Sequence, residues 1–211
     1  IDLSGAPRRR GRAYGEAARE RIRKGVAHYG AQISGAVAQV GLPALADRFL
    51  PVIEKFEPSY IDEMRGIAEG ADVAFEDVLL LNARTEIVKL AEQMTRRTDK
   101  GPRPEPPDGC TTVAVLPEAA CDGRLIHAQN WDWKADCAET GVVLRIQRTD
   151  GPDLLTFTEA GALGRSGVNA AGLALTGNYL QSDRDYRGLG VPLALIRRKA
   201  LECAFLAEAI S

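Results

Sequence analysis

The sequence has 211 residues, 45% of them hydrophobic, and a formal net charge of -2 at pH 7, which is enough to enclose one large core or two small ones. Its basic residues are scattered, so there is no field of one sign to attract nucleic acid or an anionic membrane. No stretch approaches the roughly 20 apolar residues of a membrane span and no secretory pattern opens the chain, so a cytoplasmic protein is expected. The Arg8-Arg9-Arg10 run is read as a solvated charge cluster near the terminus.

Ile22, Val26, Tyr29, Ile33, Val37 and Val40 fall at steps of three and four and predict one helix. Gly25, Gly30 and Gly35 each weaken it, so close packing against a neighbour is expected there. A second helix carries Leu45, Phe49, Val52, Ile53 and Phe56, and Pro51 should kink or divide it. Ser59 with Asp62 resembles a cap for a short helix bearing Ile61, Met64 and Ile67 and stopping near Gly70. Phe75, Val78, Leu79, Asn82, Ile87 and Leu90 continue helical spacing to about Met94. Thr98 to Pro107, with Gly101 and four prolines, reads as a linker.

Beyond the linker the pattern changes to short strands. Thr112 to Leu116 and Leu125 to Asn130 flank Asp122-Gly123, and Val142 to Ile146 and Leu154 to Phe157 flank Asp150-Gly151, each pair reading as an antiparallel hairpin. A further turn, Asn169 to Gly172, separates Gly167-Val168 from Leu173 to Thr176, and Leu193, Ile196, Ala200, Leu201 and Phe205 then predict a helical face. The fold class expected is α+β, with 1–109 a mainly helical segment and 110–211 a strand-rich one.

Cys110 stands at the join, after Gly109 and at the entrance of a strand. If Asp122 and Gly123 were a two-residue turn, Asp132 would lie opposite Val113, roughly 10 to 12 Å from Cys110, with a bulge needed to close the gap. A cysteine in this place can attack the carbonyl of Gly109 to give a thioester whose hydrolysis splits the chain. The freed α-amine, with an ordinary pKa of about 8, then serves as general base for its own thiol. No catalytic histidine is needed, and His28 and His127 are read as structural.

The four cysteines lack the spacing of a disulfide scaffold, which favours a reducing compartment or a reactive thiol. A zinc set of Cys110, Cys121, His127 and Cys137 is formally possible but has no C-x-x-C or H-x-x-x-H pair. Cys121, Cys137 and Cys203 are taken as buried or incidental, Trp131 and Trp133 as core or pocket wall, and Arg84 and Glu86 as a helix-borne polar pair supporting the sheet.

Several motifs together resemble the cysteine N-terminal-nucleophile hydrolases, most closely the acyl-coenzyme A:6-aminopenicillanic acid acyltransferase family. They are Gly11 to Ile22, Asn82 to Glu86, Asp108 to Thr112, Gln129 to Trp133, Gly167 to Leu175 and Asn178-Tyr179. The resemblance implies an αββα sandwich of antiparallel sheets, self-cleavage between Gly109 and Cys110 of a zymogen, and acyl hydrolysis or transfer at an amide. It makes Cys110 the nucleophile and base, Asp132 the residue orienting its amine, and Asn178 an oxyanion donor. Gln129 stands where relatives acting on bile salts and penicillin V carry arginine, which favours the acyltransferase branch. Family members continue past Ser211, where a further oxyanion asparagine and part of the second sheet are expected.

The activity expected is therefore a self-processing amidohydrolase or N-acyltransferase that uses no cofactor. Its substrates would be N-acyl amides, short peptides or acyl thioesters, its two fragments would stay associated, and a homo-oligomer is possible. The rival readings are a catalytically silent binding or assembly protein that keeps the fold, and a metal-binding protein.

Overall fold

In the computed structural model, residues 1–32, 35–95, 109–180, 182 and 184–211 are described. Ile33, Asp108 and the linker expected over Thr98 to Pro107 lie outside them. A short strand β1 (Asp2–Leu3) is followed by helices α1 (Pro7–Ala17), α2 (Arg19–Gln32), α3 (Ala36–Val40), α4 (Leu42–Phe56), α5 (Pro58–Ala71) and α6 (Phe75–Thr95). Strands β2 (Cys110–Val115), β3 (Ile126–Trp131), β4 (Gly141–Ile146), β5 (Leu154–Glu159), β6 (Ser166–Asn169) and β7 (Ala174–Leu175) come next, then α7 (Leu193–Glu202) and α8 (Leu206–Ala209). This is the expected α+β class.

Five strands form one sheet in the order β1-β4-β5-β6-β7, with β1 parallel to β4 and the other pairs antiparallel, while β2 and β3 form a separate antiparallel pair. Period-two alternation gives the larger sheet two faces. Val142, Leu144, Ile146 and Leu154 are buried in the core with Tyr14, Ile22, Leu45 and Leu79 of the helices, whereas Val143, Leu155, Phe157 and Val168 are exposed. Since β1 belongs to the N-terminal segment, both segments share this sheet.

The tightest helix contact is one the periodicity missed. Gly11 and Gly15 of α1 face Gly66 and Gly70 of α5, and a Cβ at any of them would overlap backbone of the opposite helix. The two backbones thus touch where side chains would normally hold helices 8–10 Å apart. By contrast, a Cβ at Gly30 or Gly35 meets nothing, so the close packing expected there is absent; only Gly25, near Leu81, has a close neighbour. The single helix expected from Ile22 to Val40 is also two, because Gly35 has a φ of 73° and precedes α3.

Other boundaries shift for local reasons. Pro51 does not divide α4; it faces solvent, where the carbonyl that loses its donor can be hydrated. Glu57, not Ser59, occupies the N-cap position of α5, because Pro58 suits the first helical turn, and Ser59 instead donates to Glu57 Oε1 at 2.7 Å. The helix runs through Gly70 and ends where Asp72 turns left-handed, at φ 56°.

The face expected for α7 is corrected. Leu193, Ile196 and Phe205 are exposed, and Leu195, Arg198 and Leu201 are buried. Periodicity assigns an arginine to solvent, but Arg198 is fully buried because carboxylates await it: Glu63 Oε2 at 3.4 Å and Glu202 Oε1 at 2.7 Å, with the Leu163 carbonyl at 3.0 Å. Arg10 also pairs with Glu63 and is 8% exposed, so it does not belong to a solvated cluster. Burial alone would raise the Glu63 carboxyl, but Arg198 and Arg10 outweigh it and hold it below the ordinary carboxylate range.

Gly66→Ala should destabilise by about 2–3 kcal/mol, because helix backbones must part, while Gly30→Ala should be neutral or stabilise by up to about 1 kcal/mol. Urea midpoints measure both. With its folded pKa depressed, Glu63 adds stability that is present above the unfolded value of 4.5 and is lost as pH falls. Stability measured from pH 6 down to 3 should therefore decline, and Glu63→Gln should flatten the decline while lowering stability at pH 6 by about 3–5 kcal/mol.

Candidate active site

The site is built on the β2–β3 ladder. Cys110 pairs with Trp131, Thr112 with Gln129 and Ala114 with His127. The two-residue turn assumed from Asp122-Gly123 is not what forms. A 3-10 turn at Pro117–Ala119 and a chain reversal closed by Gly123 N–H to the Ala120 carbonyl (3.1 Å) lengthen the connection. The ladder consequently shifts by four positions, and Asp132 lies opposite Gly109 rather than Val113.

Asp132 N–H donates to the Gly109 carbonyl at 3.0 Å. Its carboxylate Oδ2 lies 3.3 Å from where a Gly109 Cβ would stand. No bulge is required, and the carboxylate lies beside Gly109. Cys110 itself is half-buried and Asp132 exposed.

Directly opposed residues share a face, so Cys110, Thr112, Gln129, Trp131 and His127 all project to one side of the pair. A segment following β7 crosses that side. Thr112 Oγ1 donates to Asn178 Oδ1 at 2.8 Å, and Gln129 Nε2 donates to the same oxygen at 3.2 Å and to the Gly177 carbonyl at 2.8 Å. Ser166 Oγ in turn donates to Gln129 Oε1 at 2.9 Å. Two donors occupy the Asn178 carbonyl oxygen, which leaves its NH2 group as the donor available to a ligand.

Gln129 is thus more than a substitute for an arginine: it ties β3 to β6 and to the Asn178 segment. His127 Nε2 meets Thr176 Oγ1 at 2.9 Å, and its ladder position is four residues from that of Cys110, about 13 Å along the strand. His28 stacks edge-on against Tyr29 with ring centroids 5.0 Å apart.

Beneath the tryptophans lies a buried polar cluster. The Tyr29 hydroxyl donates to Glu159 Oε1 at 2.5 Å and accepts from Arg84 Nη1 and Trp133 Nε1, both at 2.9 Å. Arg84 pairs with Glu159 Oε2 at 2.5 Å and stacks on the Tyr29 and Trp133 rings. Arg84 can reach the sheet because Ala83 is non-helical, at φ -135°. At that kink Asn82 replaces the lost helix bonds, donating to the Val78 and Gly161 carbonyls and accepting from Leu163 N–H, each at 2.9 Å.

Arg84 supports the sheet as expected, but through Glu159 rather than beside Glu86. Glu86 accepts from Leu193 N–H at 2.9 Å and caps α7. Cys137 is buried 3.4 Å from the Tyr29 hydroxyl, and burial pushes its thiol up, which makes it inert. Among the described residues no three His, Cys, Asp or Glu side chains gather to hold a metal, so the zinc set does not form.

Two arginines complete the surroundings. The Arg165 guanidinium lies 3.6 Å from the centroid of the Trp131 ring, and Trp131 is in turn stacked on Trp133 and edge-on to Phe157. The Arg197 guanidinium carbon lies 2.7 Å from where a Gly177 Cβ would stand, so a side chain at 177 would displace the guanidinium. The sequence reading missed both. The Arg165-Ser166-Gly167 run and the Arg197-Arg198 pair carry no local sign that one side chain reaches Trp131 or Gly177.

Among the described residues no helix is long and apolar enough to cross a membrane. Residues 119–211 match the family model described as acyl-coenzyme A:6-aminopenicillanic acid acyl-transferase. That stretch takes in Asp132 and Asn178 and begins after Cys110. The 40 kDa form of acyl-coenzyme A:6-aminopenicillanic-acid-acyltransferase from Emericella nidulans is 32% identical over 213 residues, an alignment that covers 99% of this chain and 54% of the relative. The chain therefore spans about half the length of the curated relative it matches. Over residues 119–211 the chain matches the acyl-coenzyme A:6-aminopenicillanic acid acyltransferase family, and the alignment with the relative extends that similarity to nearly the whole sequence.

Proposed function

We propose that the chain is the nucleophile-bearing part of a self-processing cysteine N-acyltransferase or amidohydrolase, activated by cleavage between Gly109 and Cys110. The observation that carries this reading is the pairing of Asp132 with Gly109 at the mouth of the β2–β3 ladder. Cys110 Sγ attacks the Gly109 carbonyl carbon, the C–N bond breaks to give a thioester and the free Cys110 α-amine, and water then hydrolyses the thioester to the Gly109 carboxylate and the Cys110 thiol. In this reading Asp132, beside Gly109, orients that amine as it forms.

In turnover the amine accepts the thiol proton, the thiolate adds to the acyl carbonyl, and the amine proton passes to the departing nitrogen. Asn178 Nδ2 donates to the oxyanion. Water or a second amine then takes the acyl group from sulfur. Cleavage between segments 1–109 and 110–211 would not release either, since β1 remains paired with β4 and the buried ion pairs join α1, α5 and α7. The exposed apolar face of β4, β5 and β6 supports a second layer, as an αββα sandwich requires. The relative's name supports an acyl-coenzyme A thioester as donor.

Cys110→Ala should abolish turnover of N-acyl amides and thioesters. Asn178→Ala should lower kcat by about 10²–10³ with little change in KM. Steady-state kinetics on fully folded variants checks both, and retained activity in Cys110→Ala overturns the proposal.

A further inference from the structure

We propose that Arg165 and Arg197 form an anion subsite beside Cys110, which takes a carboxylate or phosphate group carried by the substrate. The inference rests on the reading of Cys110 as the reacting group and names what the substrate carries near its acyl centre.

Both guanidinium groups are half-buried, and among the described residues neither has a hydrogen bond or an ion pair. The chain treats its other covered arginines differently. Arg10 and Arg198 share Glu63, Arg84 has Glu159, and Arg148 has Asp150 and Glu202. Covering a cation without a counter-charge is costly, and two such cations close together cost more.

The electrostatics record that cost. Burial, then the charges of Arg197 and Arg84, push Arg165 down to about 10, with Glu159 and Cys110 opposing. Burial likewise lowers Arg197, with Cys110 and Glu86 opposing. Both therefore lie within electrostatic reach of the Cys110 sulfur.

Arg165 is also held in place before any ligand arrives. Trp131, the ladder partner of Cys110, supplies the ring under Arg165, and the Arg197 guanidinium lies over Gly177, the residue before Asn178. Planar guanidinium forks in this position suit a carboxylate or a phosphate. The anion can belong to the acyl donor or to the amine partner.

Alkylation tests the subsite without relying on turnover. In the purified chain, the rates of iodoacetate and iodoacetamide are measured at Cys110 and, as a reference on the same molecule, at the exposed Cys121. The iodoacetate-to-iodoacetamide ratio should be roughly tenfold or more higher at Cys110 than at Cys121. It should fall to the Cys121 level in the Arg165→Gln/Arg197→Gln pair and survive in Arg165→Lys/Arg197→Lys. Inorganic phosphate should slow iodoacetate, not iodoacetamide, at Cys110. Equal ratios at Cys110 in the wild-type and Gln proteins overturn the subsite, whether or not Cys110 proves catalytic.

N-acyl amides with a carboxylate on the acyl side, on the amine side or on neither then identify the source. The Gln pair should raise KM for one carboxylated series and leave the neutral series unchanged. Equal changes in all three overturn the role in substrate binding.

Discussion

The register of one two-stranded ladder determines the candidate site. Because Cys110 lies opposite Trp131, Asp132 must lie opposite Gly109, and Thr112 and Gln129 must share the face of the thiol. A one-residue slip would turn Cys110 to the other side of the sheet. The ladder is short and has few neighbours of its own, so side-chain bonds fix it: Gln129 to the Gly177 carbonyl, Thr112 to Asn178 and His127 to Thr176. Those bonds that hold the register also deliver Asn178.

Support beneath comes from charges rather than apolar packing alone. Arg84, Glu159, Tyr29 and Trp133 satisfy one another, and a half-satisfied version of such a network would be worse than an apolar one. The kink at Ala83 and the bonds of Asn82 exist in the service of this cluster, since a straight α6 would carry Arg84 elsewhere. A second network, around Glu63 and Arg198, joins helices from both segments. Neither includes Arg165 or Arg197, and that exclusion sets the two arginines apart.

Local patterns made the strands and most helices legible, because alternation along β4 and β5 and the three- and four-residue steps of α4 follow directly from burial on one side. The failures have physical causes. Turn chemistry at Asp122-Gly123 suggested a tight hairpin, but residues from Leu116 onward form a 3-10 turn first, and the ladder shifted by four. Periodicity could not foresee Arg198 inside the core, since its partners Glu63 and Glu202 come together only in the tertiary fold. Glycines four apart on α1 and α5 went unread, because their spacing acquires meaning only at the helix crossing. Cys110, Asp132 and Asn178 stood out in the sequence through motif resemblance, whereas Arg165 and Arg197 carry no motif.

The central claim is that the bond between Gly109 and Cys110 is the one the chain itself breaks. Its most direct test is the intact mass of freshly purified full-length protein, with sequencing of any new N-terminus. The account predicts two associated fragments, the second beginning at Cys110, and a single uncut species for Cys110→Ala. A wild-type chain that stays in one piece for days, or a cut at another bond that persists in Cys110→Ala, would contradict it.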